Sequence, residues 1–478
     1  MKKILFSLLL CSLALHAHAQ LGKISKDLNQ ASNDVKSAGK SVGIGNKPAS
    51  GTSNSATPAG NSAAASAAPA ATGRDWYVCA ATGKGQNGTK DQPAKDLGAI
   101  AHKLQPGDRI LIAEGSYTSR ADEGADVLEM PVSIIGGWDS GFNTRDPWGR
   151  HKTIMTGTNE YMKSSLDRIA ILTDKAYKDW DGEILIDGLI IDNGSRNRYT
   201  DEKQLCILRK AKPEAGQNPS PESAGIKIRT GQNTRVIIRN CVIMNTAPTQ
   251  GALDLQVNKN GSALVENNLI INNTGEGVMC KSNWHSTDGL PEYTIRNNTI
   301  LFCWKHDAVA TYGGNCIMMD TDVKINIENN ILGFGDFGGV NNIKQCKTLT
   351  LKGNIFLGHK KYDYKEFNTP MKIDEIEDYA RFIVEAENNT TALLKFPMPA
   401  AWSETYLARK DISREELDAS VKVSNSANNQ VRGILGLPLQ GSAVKIDAEI
   451  WLHRLLLSEI DPLKFQASKG AGCSAPKA

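Results

Sequence analysis

After its first twenty residues the chain lacks a long apolar run, so the sequence predicts no transmembrane helix, which needs about 20 such residues. Charge of one sign is not in excess either, because the net charge is +3 over 478 residues, and this gives no argument for a nucleic-acid partner. Aromatic residues make up 6%, and no C-x-x-C motif occurs, so a zinc or thioredoxin-like site is not indicated. Glycine is plentiful, with 43 residues, which favours a turn-rich β architecture.

The first residues are typical of an exported protein. Lys2 and Lys3 precede an apolar run that ends in Ala17-His18-Ala19, so residues 1–19 are predicted to be a signal peptide cleaved before Gln20. The cysteines beyond this segment are even in number, which permits disulfides in an oxidising compartment. We therefore expect a periplasmic, cell-surface or extracellular protein.

Two segments precede the folded region. In residues 20–44, apolar residues from Leu21 to Val42 follow a heptad spacing. This spacing indicates either a helix that binds a protein partner or itself, or a marginal helix formed by chance. Residues 45–73 are rich in Ser, Ala, Gly and Pro, and they predict a flexible linker without a core.

Residues 74–358 repeat with a period of about 24–32 residues. An apolar residue precedes asparagine in each repeat, at Ile238, Val265, Ile295, Ile327 and Leu351. An earlier strand keeps a similar period, with first inward residues at Ile226, Leu253, Val278, Val309 and Val340. Ile186 lies about two periods before Ile238. Units this short must stack to bury a core, and two strand registers with one period are what a parallel β-solenoid requires.

Asparagine recurs at the same place in each repeat. The predicted column contains Asn267/Asn268, Asn297/Asn298 and Asn329/Asn330, continued by Asn240 and Asn354. An amide donates to the coil on one side and accepts from the coil on the other, so such a ladder satisfies itself. Asparagine also tolerates the left-handed conformation of a tight bend. The sequence therefore predicts a structural asparagine ladder.

These repeats, with "PGDRILIAEGSY" and "PVSIIGGWDSGFNTRDPWG" before them, resemble exported right-handed parallel β-helix proteins of the pectate-lyase-like superfamily. The resemblance covers roughly residues 75–358 and implies an all-β solenoid, but it matches no specific catalytic family. An N-terminal capping helix is predicted around Ala94–Lys103. Residues 359–478 are predicted to form a loop excursion and a partly helical C-terminal cap, from the stretches "KIDEIEDYARF", "SREELDAS" and "IDAEIWLHRLLLSEI".

Alternation along the earlier strand places two columns on its outer face. One is Lys227, Asp254, Met279, Ala310 and Asn341, and the other is Arg229, Gln256, Lys281, Tyr312 and Ile343. The loops Lys281–Gly289 and Thr311–Asp322 are expected to add Trp284, His285, Asp288 and Asp320 at one edge. This face is either an ordinary solvated sheet or a binding surface for an extended polysaccharide. The candidate binding residues are Lys227, Asp254, Gln256, Trp284, Tyr312 and Asn341.

The sequence leaves catalysis undecided. A uronate polysaccharide lyase would neutralise the sugar carboxylate with Arg229 and remove a proton with Lys281 or His285. Glu276 and Asp307, aligned one coil apart, are candidate Ca²⁺ ligands, or the carboxylate pair of a glycosidase. The alternative from another class is a non-catalytic structural or adhesive component of the cell envelope.

Two cysteines are predicted to meet on adjacent coils. Cys316 and Cys346 follow Val309 and Val340 at nearly the same distance, so they fall within disulfide reach if the alignment holds. Cys280 is expected to point inward as an apolar filler.

Overall fold

The computed structural model describes residues 73–119, 124–158, 167–197, 223–248, 250–284, 286–304, 313–344, 346, 348–392, 394, 396–397, 454–465 and 467–476. Their strands stack in three sheets, called A, B and C here, and from the fourth strand onward each coil passes through C, then A, then B. All described strand pairs are parallel except one hairpin at the C-terminal end of sheet C. The predicted all-β, right-handed parallel β-helix is therefore confirmed.

Sheet A contains ten strands. They are β1 (Asp75–Val78), β2 (Arg109–Ala113), β5 (Ser133–Trp138), β8 (Glu183–Asp187), β11 (Arg235–Arg239), β14 (Ser262–Glu266), β17 (Glu292–Arg296), β20 (Lys324–Glu328), β23 (Thr348–Lys352) and β27 (Ile383–Glu387). Sheet B contains nine strands. They are β3 (Gly115–Tyr117), β6 (Thr153–Met155), β9 (Ile190–Asp192), β12 (Val242–Met244), β15 (Leu269–Thr274), β18 (Thr299–Trp304), β21 (Ile331–Gly333), β24 (Ile355–Leu357) and β28 (Thr390–Thr391).

Sheet C also contains nine strands. They are β4 (Asp126–Leu128), β7 (Ile169–Leu172), β10 (Ile226–Arg229), β13 (Gly251–Gln256), β16 (Glu276–Lys281), β19 (Asn315–Met319), β22 (Gly338–Asn342), β25 (Tyr362–Glu366) and the antiparallel β26 (Thr369–Met371). The inward residues of the three sheets form one continuous apolar core along the solenoid.

The predicted apolar column of sheet A is confirmed residue by residue. Ile238 pairs with Val265, and the pairing continues through Ile295 and Ile327 to Leu351. The predicted spacing of two periods between Ile186 and Ile238 was wrong, because these residues pair directly and lie on adjacent coils. The chain between them makes one coil with a long insertion, and a period counted along the sequence cannot distinguish an insertion from a second coil.

The coil that follows β16 in sheet C also differs from the prediction. The strand opposite Val278 is β19, with Ile317 in the paired position, and not the stretch around Val309. Gly313 and Gly314 both have positive φ angles, 85° and 80°, and form the turn that precedes this strand. The extra residues of this coil therefore lie before the strand, so the stretch predicted as a loop after it contains β19 itself.

Asparagine forms two columns with separate roles, where the prediction had one. Side chains of the first column hydrogen-bond from coil to coil, and all but the last are fully buried; they are Asn268, Asn298, Asn330, Asn354 and the half-buried Asn389. The residues just before them have φ angles of 53–62°; they are Asn267, Asn297, Asn329, Gly353 and Asn388. The ladder and the left-handed bend are therefore adjacent positions.

The N-terminal capping helix is replaced by two short 3-10 turns, Leu97–Ala99 and Ala101–Lys103. The Asp96 carboxylate accepts the Ala99 N–H and starts the first turn. Gly98 lies inside this turn and Leu104 is already extended. A segment this short cannot nucleate an α-helix, because nucleation fixes several residues before the first hydrogen bond is gained.

The C-terminal cap is partly as predicted. Ile373–Glu375 forms a 3-10 turn that leads into α1 (Ile376–Tyr379), and Ile376 joins the interior core at the last coil. Residues 454–476 take another position: Leu455, Ile460, Phe465, Ala471 and Cys473 pack on the outer side of sheet B in a second apolar core. Most of the two later predicted helices lies outside the described residues, as does the heptad segment Leu21–Val42.

Candidate functional site

The outer face of sheet C carries polar side chains in register on successive strands. The observed first column is Lys227, Asp254, Met279, Met318, Asn341 and Lys365. The second column begins with Arg229, Gln256 and Lys281. Both columns follow the prediction over their first three coils. Met318 stands where Ala310 was expected, because β19 is the strand that follows β16 in this sheet.

Charges of opposite sign alternate from strand to strand across this face. The Lys227 Nζ lies 3.0 Å from Asp167 Oδ2 and 3.8 Å from Asp254 Oδ2. On the other side of Asp254, the Lys281 ammonium contacts Asp254 Oδ1 and donates a hydrogen bond to Gln250 Oε1. The Asp254 and Lys281 side chains are only 7% and 10% exposed. The network is thus electrostatically matched and mostly shielded from water. We call Asp167, Lys227, Asp254 and Lys281 the charge row.

Arg229 differs from its neighbours on this face. Its side chain is half-buried, and it forms no ion pair among the residues that the structure describes. Its backbone is fixed, because its carbonyl oxygen accepts the Thr173 N–H at 2.8 Å. A guanidinium carries five donors in a rigid planar fork. Arg229 therefore presents donors beside a charge row whose own charges are already compensated.

Trp284 lies at the edge where the chain leaves sheet C for sheet A. Its indole Nε1 donates to the Asp288 carbonyl, and the Lys259 Nζ lies 4.5 Å from its ring centroid. Lys259 also pairs with the Asp288 carboxylate at 3.3 Å, and that carboxylate is 86% exposed. The predicted edge position of Trp284 is therefore observed, with one ring face under a lysine ammonium that solvent reaches.

Glu276 lies inside the corner between sheets B and C and is 3% exposed. Its Oε2 accepts the Asn315 N–H at 2.8 Å, and the Tyr362 hydroxyl donates to the Asn315 side chain at 2.6 Å. Burial raises the pKa of the Glu276 carboxyl from 4.5 to about 7, against the lowering effect of hydrogen bonds from Asn315 and Gly313. In this geometry Glu276 accepts a backbone donor. Within the described residues, no group of three or more metal-ligating side chains forms.

Glu276→Gln is expected to remove a pH dependence of stability. A raised carboxyl pKa means that the folded protein keeps its proton where the unfolded chain has lost it, so stability is full below about pH 4.5 and falls as the pH rises through about 7. The loss amounts to roughly 3 kcal/mol in the wild type and should be absent in the variant. Urea unfolding at several pH values measures it. Parallel curves for the two proteins would refute this role, and Glu183→Gln on the exposed face of sheet A is the control.

The outer face of sheet A is the contrast to sheet C. One of its columns alternates in sign through Asp187, Arg239, Glu266, Arg296, Glu328, Lys352 and Glu387. Neighbours in it pair directly, with 2.7 Å between Arg239 and Asp187 and 2.7 Å between Arg296 and Glu266. The guanidinium side chains of this column are exposed and paired. Sheet A therefore has the features of an ordinary solvated face.

The sequence identified most of the observed face. Lys227, Arg229, Asp254, Gln256, Lys281 and Asn341 share it. Trp284 lies at its edge, and Glu276 lies inside the adjoining corner. His285, Asp307 and Tyr312 lie outside the described residues. Sequence reasoning missed Asp167 and Gln250. Asp167 would follow from aligning "RIAIL" with "AGIKIR", since Ile169 pairs with Ile226.

No family model matches the chain, and no curated protein matches it. Among solved structures, the chain is similar to the pectate lyase Pel9A, with 13% identity over 62% of this chain and 78% of that one and a TM-score of 0.25. It is also similar to the GH136 lacto-N-biosidase from Eubacterium ramulus, with 12% identity over 66% and 68% and a TM-score of 0.23. Likeness at this level carries no argument about function. None of the described helices is long and apolar enough to cross a membrane.

Proposed function

We propose that this protein is exported and binds an extended polysaccharide along the outer face of sheet C. The observation that carries the proposal is the half-buried Arg229 guanidinium beside the charge row, which forms no ion pair within the described residues. Within the charge row, whose members neutralise each other, Lys227 is partly exposed, so it presents a polar group without a large net field, which suits hydroxyl-rich ligands. Arg229 adds directional donors to it.

The shape of the face also supports a linear ligand. Parallel strands repeat about every 4.8 Å along the solenoid, so equivalent side chains recur at regular steps that a chain of sugar units can follow. Trp284 adds an aromatic surface at the edge, and aromatic rings stack on sugar rings. Lys227 and Arg229 are more exposed than Asp254, Gln256, Lys281 and Asn341, so a ligand would contact β10 first.

Binding without chemistry is favoured over a lyase reaction by the state of Lys281. Its ammonium is held by Asp254 and Gln250, so acting as a base would require breaking both contacts. The same contacts are compatible with a structural or adhesive component of the envelope that recognises polysaccharide and does not cleave it.

A glycan screen of the full-length protein tests the proposal. The purified protein is applied to immobilised neutral and uronate-rich polysaccharides, with and without calcium, while the ultraviolet absorbance of unsaturated products is followed. We expect retention on at least one linear polymer and a tenfold or greater loss of affinity in Arg229→Ala. The matched control is Arg235→Ala, whose exposed guanidinium pairs with Glu183 on sheet A. Equal binding by both variants, or no binding to any polymer, would contradict the proposal.

A further inference from the structure

Two buried cysteines meet at the corner between sheets B and C. Cys303 lies near the end of β18 and Cys316 near the start of β19, and neither is exposed. Because Ile317 pairs with Val278, Cys316 stands beside Gly277 of the preceding coil. A Cβ atom on Gly277 would lie 3.2 Å from Cys303 Sγ and 2.6 Å from the Cys316 carbonyl oxygen. Glycine at position 277 therefore leaves the space that this pair occupies.

The Cys316 side chain lies close enough to act on the Cys303 thiol, and together with burial it raises the pKa of that thiol well above its ordinary value. The Cys316 sulfur has only weak contacts besides, at 3.7 Å from the Ile300 carbonyl and 3.9 Å from the Gly333 carbonyl. Both are free thiols in the structure.

The predicted disulfide between Cys316 and Cys346 was wrong. Cys316 and Cys346 do not pair, because β19 and not the stretch around Val309 is the strand that follows β16 in sheet C. Cys316 precedes its paired residue Ile317, while Cys346 lies beyond the end of β22, where its sulfur donates to the Thr321 carbonyl at 3.0 Å. The two side chains belong to opposite ends of the sheet C strands.

We propose that Cys303 and Cys316 form a disulfide in the exported protein, which links the end of β18 to the start of β19. The bond forms by exchange with a disulfide oxidant, such as a thiol–disulfide oxidoreductase of the export compartment or oxidised glutathione. One cysteine thiolate attacks the oxidant disulfide and forms a mixed disulfide. The second cysteine thiolate then attacks the protein sulfur of that mixed disulfide and displaces the oxidant sulfur. The oxidant leaves as two thiols, which carry the two electrons and two protons of the cysteines.

This exchange takes place during folding. Exchange needs a thiolate and access, and the folded corner offers neither, because both sulfurs are buried and the Cys303 pKa is raised. Once the coil has closed, the same burial protects the bond from reductants. A closed loop of roughly a dozen residues restricts the unfolded chain and so stabilises the fold.

Refolding of the full-length protein tests the pair without depending on export. The reduced, unfolded protein is refolded in a mixture of reduced and oxidised glutathione, alkylated in denaturant and mapped by mass spectrometry. We expect a peptide cross-linked through Cys303 and Cys316, and a melting temperature higher by roughly 5–10 °C than that of the protein refolded fully reduced. Oxidant added after folding should produce the bond at least tenfold more slowly.

Variants separate this pair from its nearest competitor. Cys316→Ser should abolish the cross-link and the temperature difference, while Cys280→Ser, beside Cys346 in the neighbouring part of the core, should leave both unchanged. If the wild type refolds with both thiols free, or links Cys280 to Cys346, the proposal is overturned. The wild-type peptide map gives this answer even if a variant fails to fold.

Discussion

Replacing Asn298 with alanine is expected to lower the free energy of unfolding by about 4 kcal/mol. The Asn298 Oδ1 accepts the Asn268 backbone N–H at 3.0 Å and the Asn268 side-chain amide at 2.9 Å. Its Nδ2 donates to the Val265 carbonyl at 2.9 Å and to Asn330 Oδ1 at 3.0 Å. Alanine leaves these groups unpaired in a fully buried position, and each buried unsatisfied group costs about 1–3 kcal/mol.

Urea unfolding of the wild type and the variant measures this loss as a change in midpoint at constant slope. The matched control is Asn326→Ala, on the exposed face of sheet A in the next coil. Asn326 accepts the Thr350 hydroxyl and donates to Glu292 at 3.3 Å, and the Glu292 contact is exposed, so its loss should cost less than about 1 kcal/mol. If the two variants are destabilised equally, the buried column does not have the role assigned to it.

Asp254→Asn is expected to destabilise the protein by about 3 kcal/mol. The substitution keeps the shape of the side chain but removes the negative charge between Lys227 and Lys281. Lys281 then keeps only neutral acceptors, the Gln250 oxygen and the new amide oxygen, in a site that is 10% exposed. Removing one partner of a buried ion pair costs about 3–5 kcal/mol, because the other charge is left desolvated, and the remaining exposure here places the effect at the lower end.

Two comparisons identify the cause of that loss. Glu183→Gln breaks the Arg235 pair on sheet A, where the side chains are 42% and 56% exposed, and should change stability by less than about 1 kcal/mol. Asp254→Asn combined with Lys281→Met should recover much of the stability, because no buried charge remains unpaired. A double variant as unstable as the single one would show that packing at Asp254, and not charge, dominates.

The sequence predicted those parts of the fold in which one residue type marks one place in every coil. The asparagine ladder fixes the register of sheet A, so the column from Ile238 to Leu351 followed directly. The coil that contains β19 has no such marker, and the apolar alternation around Val309 competes with that of β19. The pair Gly313-Gly314 was the sequence signal for the turn before β19, because consecutive glycines readily adopt the positive φ angles of a turn, as they do here.

The site could be predicted only as far as register allows. Register places Lys227, Asp254 and Lys281 near one another. Whether the Lys281 side chain turns toward Asp254 or toward solvent depends on its rotamer and on Gln250, which lies just before β13. The proximity of Cys303 and Cys316 was missed because the position of β19, which contains Cys316, was missed. The packing of residues 454–476 on sheet B joins segments far apart in sequence, and apolar pattern alone does not specify a partner.

The most direct test of the central claim is a crystal structure of the full-length protein with an oligosaccharide cut from the polymer that binds most strongly. We expect consecutive sugar units to lie across β10, β13 and β16, with the Arg229 guanidinium within hydrogen-bond distance of one of them. Sugar units on sheet A or along residues 454–476, with the sheet C face empty, would contradict the account.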